Sequence, residues 1–88
     1  MDTWLDRLAE ALGEEPLTDE ETDRLLRSSR DVAHRVERKT TPLAAFLIGS
    51  AAGRSQGAGA SRADALGAAL GTLESVLPPS SEESRFEG

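Results

Sequence analysis

Few side chains in this sequence could carry out chemistry. His34 is the only histidine and cysteine is absent, so a transition-metal site would lack the further ligands it needs. The residue types of a nucleophile–base–acid triad are present, with a serine or threonine as nucleophile, His34 as base and Asp31 as acid. Asp31 and His34 are only three residues apart on one predicted helix, however, and no strand-to-helix turn presents a serine. The sequence therefore predicts no enzyme, no metal site and no cofactor.

Charged side chains around His34 form the candidate interaction face. Its members are Arg27, Asp31, His34, Arg35, Arg38 and Lys39. Arginine binds carboxylates and phosphates through paired hydrogen bonds, and a histidine beside it would make binding sensitive to pH near neutrality. The alternative is a solvated helix face with i, i+4 ion pairs, each worth a few tenths of a kcal/mol. Both interpretations stay open.

The net charge is −6, which argues against a general nucleic-acid binder because such proteins present a dominant basic surface. The charges are segregated along the chain. Residues 1–26 hold nine acids and two bases (−7), residues 27–62 hold seven bases and two acids (+5), and residues 63–88 hold five acids and one base (−4). The basic middle could be neutralised by the acidic ends of the same chain, by a second copy or by an anionic partner.

Helical periodicity and capping signals predict the four helices that position these residues. Their predicted ranges are 2–13, 19–38, 42–55 and 62–77, within a single helical domain of residues 1–77. S/T-x-x-D/E capping boxes begin three of them, at Thr3, Thr18 and Ser61, and Thr41 before Pro42 is expected to cap the third helix. We expect Trp4 to anchor the first helix in the core. Residues 78–88 are predicted to be a disordered acidic tail.

The third predicted helix is the most apolar part of the chain. It has no charged residue from Pro42 to Gly53, and a helix that is apolar all round is normally buried. The predicted fold is therefore all-α, a four-helix bundle-like domain with a buried central third helix. The uncharged run is too short to span a bilayer, which takes roughly 20 residues. With no signal peptide at the start, a cytoplasmic protein without membrane contact is expected.

Small residues recur every four positions along the third and fourth helices. The two rows are Ala45, Gly49 and Gly53, and Ala63, Gly67 and Gly71. A glycine inside a helix costs about 1 kcal/mol relative to alanine, so the rows require a compensating role. Small residues at i, i+4 let another helix approach closely, which predicts a close crossing of the third and fourth helices within one chain or between two. The alternative is that a flat ligand approaches the glycine backbone.

Part of this sequence resembles a small actinobacterial domain of unknown function. The residues that carry the resemblance are Asp31, His34, Arg38, Pro42, Phe46, Gly49 and Gly53. That domain occurs alone, or fused to or encoded near nucleotidyltransferases of the molybdopterin-guanine dinucleotide biosynthesis type. The resemblance covers residues 2–77 and brings no established activity, and the transferase's glycine-rich nucleotide signature is absent from this chain. It implies an accessory role beside molybdenum-cofactor assembly or the enzymes that use the cofactor.

These observations predict a non-enzymatic accessory or protein-interaction module that acts through the charged face. Its expected partner is a protein, either a second copy in a homodimer or a molybdenum-cofactor enzyme. The alternative is a small-ligand domain that binds a pterin or a nucleotide phosphate between the glycine rows and the basic corner at Arg38 and Lys39.

Overall fold

The computed structural model describes residues 3–79, and this part of the chain is helical with short connections. The helices are α1 (Trp4–Leu12), α2 (Asp19–Arg35), α3 (Thr41–Gly57) and α4 (Arg62–Val76), and a 3-10 turn (Arg38–Thr40) lies between α2 and α3. The predicted all-α class with four helices is confirmed. Residues 80–88 of the predicted tail lie outside the described residues.

The helix starts form largely as the sequence predicts. Thr18 Oγ1 accepts a hydrogen bond from Glu21 N at 3.1 Å, and Glu21 Oε1 accepts one from Thr18 N at 2.9 Å. Thr3 begins α1 with the same reciprocal pair. At α4 only half of the predicted box forms, because Ser61 Oγ accepts from Asp64 N at 3.1 Å but Asp64 does not return the bond. These local hydrogen bonds satisfy amide groups that no preceding turn can satisfy.

The corner between α2 and α3 differs from the prediction. α2 ends three residues before Arg38, because Val36 N and Glu37 N both donate to Val32 O and the chain then leaves the helix. The 3-10 turn leads directly into α3, so Thr41 is already helical and does not act as its cap. The Thr41 hydroxyl is instead buried, with no hydrogen-bond partner.

The buried core lies along α4. Leu70 is 1% exposed, and it borders a small cavity of about 20 Å³ together with Val32 of α2 and Ile48 of α3. The most extensive contact between helices is that of α3 with α4. The buried apolar residues are Val32, Ala52, Ala65, Leu66, Ala69 and Leu70. Half of them are alanines, so the core is thin for a chain of this length.

The prediction that the third helix is buried is wrong. Only Ala52 of α3 is buried, whereas Leu43, Phe46 and Leu47 are 65%, 73% and 67% exposed. α3 contacts α2, the 3-10 turn and α4, and its buried and half-buried residues recur along one side only. The expected anchoring of Trp4 in the core is also wrong, since its side chain is 66% exposed.

Candidate functional site: the groove between α1 and α3

A groove of about 460 Å³ separates α1 from α3. Leucines of α1 form one wall, and the small-residue row of α3 with Leu66 of α4 forms the opposite side. Polar residues border it where α4 begins. The residues that line it are Leu5, Leu8, Ala9, Leu12, Glu14, Glu15, Leu17, Leu25, Ala45, Ile48, Gly49, Ala52, Gly53, Gln56, Arg62 and Leu66. Its volume and its apolar lining are those of a typical ligand or peptide site.

The apolar wall of the groove is the face of α1 that the sequence assigns to the core. Leu5, Leu8 and Leu12 recur at helical spacing and line the groove, and all three remain exposed. The helix is held by its capping box at Thr3 and by Gly13, whose φ of 72° is the left-handed conformation of a helix C-terminus. Because this face meets solvent across the groove, an apolar occupant would remove it from water.

Arg62 joins three parts of the chain at one end of the groove. Its Nη1 donates to Glu15 O at 2.6 Å, and its Nε lies 3.2 Å from Glu21 Oε2. The side chains of Arg62 and Glu21 are only 26% and 13% exposed, so this ion pair is less screened than a surface pair. Glu21 uses its other oxygen for the capping box of α2. Sequence reasoning missed this link because periodicity and capping patterns report only neighbours within a few residues.

The small-residue row of α3 faces the groove and not α4. Ala45, Gly49 and Gly53 line the groove, and a Cβ on either glycine would meet no atom within 4 Å. α3 does pack on α4 as predicted, but its buried residue is Ala52. Within one chain the α3 row therefore leaves open space where a close crossing was expected.

The small-residue row of α4 also points away from α3. Ala63 and Gly71 are exposed, and Gly67 lies beside α2, where a Cβ would be 3.5 Å from Arg24 Nη1. The predicted crossing of α3 and α4 through these two rows is therefore not formed within one chain. A crossing between two chains stays a prediction.

The charged face is not one continuous helical stripe. Four of its six residues lie on α2: Arg27, Asp31, His34 and Arg35. Arg38 and Lys39 lie in the 3-10 turn, and Lys39 Nζ is 3.8 Å from Glu37 Oε2 on the surface. None of the six lines the groove, so the glycine row and the basic corner are not brought together there. Partner binding by this face stays a prediction.

Residues 3–79 present neither a metal-binding cluster nor a membrane-spanning helix. No group of three or more histidine or acidic side chains is placed to hold a metal ion there. No helix in the same range has the length and hydropathy required to cross a membrane.

The fold and the site define a small all-α domain with an open apolar groove beside an alanine-rich core. The chain belongs to the family described as a domain of unknown function, DUF6457, whose family model matches residues 1–85. The predicted resemblance to a small domain of unknown function is confirmed to that extent. Neither a curated protein nor a solved structure matches the chain.

Proposed function

We propose that this domain is a non-enzymatic protein-interaction module that binds an amphipathic helix of a partner protein in the groove between α1 and α3. The observation that carries the proposal is the groove itself, because its walls are leucines and glycines and its charged groups lie at one end. Apolar grooves between helices bind partner helices through apolar residues spaced three and four apart.

The floor of the groove determines the shape of the occupant. Gly49 and Gly53 leave open space above the α3 backbone, so a partner helix can approach it closely. The lining of α3 extends from Ala45 to Gln56, which is about 16 Å at the helical rise. That length suits a partner helix of about three turns.

The charges around the groove determine the polarity of the occupant. Glu14 and Glu15 border it, and residues 1–26 carry nine acids against two bases. Arg62, the basic residue of the lining, is already bound to Glu21 and to the Glu15 carbonyl. The favoured partner therefore has basic residues beside its apolar face, because complementary charge speeds association and orients the partner.

The binding experiment uses a synthetic leucine–lysine amphipathic helix of three turns as its probe, titrated into isotope-labelled protein. We expect amide shifts at Leu5, Leu8 and Gly53, and weaker binding of a leucine–glutamate helix of equal length. Gly49→Leu fills the groove and should weaken binding at least about tenfold, a free-energy change of about 1.4 kcal/mol. Gly71→Leu, on the exposed side of α4, is the matched control. Shifts confined to α2, or equal affinity in both variants, would refute the proposed site.

The proposed cellular role is accessory to molybdenum-cofactor assembly in the bacterial cytoplasm. Its support is the resemblance carried by Asp31, His34, Arg38 and Phe46, and the absence of cysteine is compatible with a reducing compartment. The direct test mixes the purified domain with the host's molybdopterin-guanine dinucleotide nucleotidyltransferase and measures binding by calorimetry. Binding that Gly49→Leu abolishes and Gly71→Leu preserves is the expected result. If the native domain gives no heat of binding, the nucleotidyltransferase is not its partner.

A small-molecule ligand in the same groove is the second candidate, favoured by the groove's volume of about 460 Å³. A flat pterin ring suits the glycine floor better than a nucleotide phosphate, because Arg62 is already bonded and Arg38 and Lys39 do not line the groove. A thermal-shift comparison of pterins and nucleotides tests it, since a ligand at 100 times its dissociation constant adds about 2.7 kcal/mol. Unchanged melting with every compound would eliminate this candidate.

A further inference from the structure

The outward side of α3 carries a second surface, separate from the wall of the groove. Its residues recur at alternating spacings of three and four, the pattern by which two helices pair along a seam. We name this surface the α3 seam; it consists of Leu43, Phe46, Ser50, Gly53 and Gly57. All five are exposed. Gly53 borders both surfaces, whereas Leu43 and Phe46 do not line the groove.

The α3 seam has a large half and a small half. Leu43 and Phe46 occupy its N-terminal half and are 65% and 73% exposed. Gly53 and Gly57 occupy its C-terminal half, and a Cβ on either would meet no atom within 4 Å. Ser50 lies between the two halves. One end of the seam thus presents protruding side chains, and the other end presents open space.

We propose that a second copy of this chain covers the α3 seam, with the two α3 helices antiparallel about a two-fold axis at Ser50. In this arrangement Leu43 of each copy lies over Gly57 of the other, and Phe46 lies over Gly53. Both contacts are repeated by the two-fold axis, as an isologous interface requires. A parallel pair would place large residues against large ones and leave glycine against glycine, so only the antiparallel pair fills the open space.

The charge distribution permits a second copy as the occupant. The chain carries a net charge of −6, and like net charge opposes association least where the contact surface itself is uncharged. α3 has no charged residue from Pro42 to Gly53, so two copies can meet there without placing like charges in contact. Arg54 follows the uncharged run, and in the antiparallel pair the two copies of it are about 12 Å apart along the axis. Each Arg54 then lies beside the Phe46 ring of the second copy, a favourable arrangement for a cation and an aromatic face.

The exposed area of the seam fits a weak dimer. Leu43 and Phe46 expose on the order of 250 Å² per copy, so two copies contribute about 500 Å². With Ser50, the glycines and the flanking Leu47 the total stays below about 1,200 Å², the range of weak interfaces, so the dimer should dissociate on dilution. The interface and the groove share Gly53, whereas Leu43 and Phe46 belong to the α3 seam alone. Phe46→Glu therefore tests the dimer without altering the lining of the groove.

Measurement of the solution mass tests the dimer. The native chain should have twice its mass of 9.3 kDa, with dissociation on dilution. Gly53→Leu should return the mass to that of one chain while far-ultraviolet circular dichroism stays helical, because a side chain at this position has open space within one copy. Gly71→Leu, an equal change on α4, should remain a dimer. Phe46→Glu provides a second test on an exposed residue should Gly53→Leu fail to fold.

Two results would overturn the dimer. The first is a native mass of one chain at every concentration up to the solubility limit. The second is a dimer whose mass neither Gly53→Leu nor Phe46→Glu changes, since a different face would then hold the copies together.

Single cysteines test the orientation, because the chain has none of its own. Ser50→Cys should form an intermolecular disulfide, since the two copies of this residue meet at the two-fold axis. Leu43→Cys should remain unlinked, because its two copies are about 20 Å apart in the antiparallel pair and a disulfide needs Cα atoms within about 7 Å. A Leu43→Cys disulfide formed as readily as that of Ser50→Cys would indicate a parallel pair and refute the antiparallel arrangement.

Discussion

Helices α3 and α4 are both rich in alanine, glycine and leucine, but α4 has four buried residues and α3 has one. α3 has the longer uncharged run, whereas α4 carries Asp64 and Glu74. Even so, Leu70 of α4 is enclosed while Phe46 of α3 is largely exposed. The comparison teaches that the burial of a helix follows from the elements placed around it, and that apolar composition shows only that burial would be favourable.

The surroundings of the two helices explain the difference. α4 packs on α3, approaches α2 where Gly67 lies beside Arg24, and is tied by Arg62 to Glu21. α3 has its neighbours on one side, a groove on a second side and solvent on a third. Paired substitutions in α4 and α3 test this account.

The largest difference is expected between two leucines. Leu70→Ala removes an enclosed side chain and should lower the free energy of unfolding by about 3 kcal/mol, since it leaves a cavity. Leu47→Ala removes an exposed side chain and should change the free energy of unfolding by less than about 0.5 kcal/mol. Urea denaturation at low protein concentration, where two copies are apart, measures both. Equal losses would show that α3 is covered within one chain and would break the comparison.

The second difference lies in the ion pairs near the helix starts. Arg62→Met removes the hydrogen bonds that join α4 to Glu21 and Glu15, and should cost about 2 kcal/mol because charged partners remain partly buried. Lys39→Met, before α3, breaks a pair whose side chains are 82% and 55% exposed, and should have no measurable effect. A double-mutant cycle with Glu21→Gln isolates the interaction. Full additivity in that cycle would mean that Arg62 acts through packing alone.

The third difference concerns helix capping. Ser61 Oγ accepts the Asp64 amide at the start of α4, so Ser61→Ala should destabilise the domain by about 1 kcal/mol. Thr40 precedes α3 without a side-chain capping bond, so Thr40→Ala should be close to neutral. The midpoints of thermal unfolding compare the two variants directly. A larger loss at Thr40 would contradict the observed start of α3.

The smallest effects are expected at the glycines. Gly49→Ala should stabilise α3 by up to about 1 kcal/mol, because alanine favours the helix and the position has open space. Gly67→Ala should stabilise the domain less than Gly49→Ala does, because its new methyl group lies about 3.5 Å from Arg24 Nη1. Denaturation midpoints rank the two variants. A loss of stability at Gly49 would mean that another element fills the groove.

Local sequence was sufficient for the helices themselves. Thr18 and Glu21 are three residues apart, and their hydrogen bonds form wherever that turn forms, so the start of α2 was predictable. Gly13 ended α1 for a similarly local reason, since only glycine adopts a positive φ without strain. The corner after α2 was less predictable, because the Val36 and Glu37 amides both bond to Val32 O and no pattern in the sequence signals that stop.

Which apolar faces are covered depends on how the helices pack together. The leucines of α1 have the periodicity of a core-facing helix, but they form the wall of an open groove. The link from Arg62 to Glu21 joins residues far apart in the chain, and no local pattern reports such a distance. Periodicity shows which side of a helix is apolar, because that depends on neighbouring residues. The contacts of that side depend on where every other helix lies, so they are determined only when the helices pack.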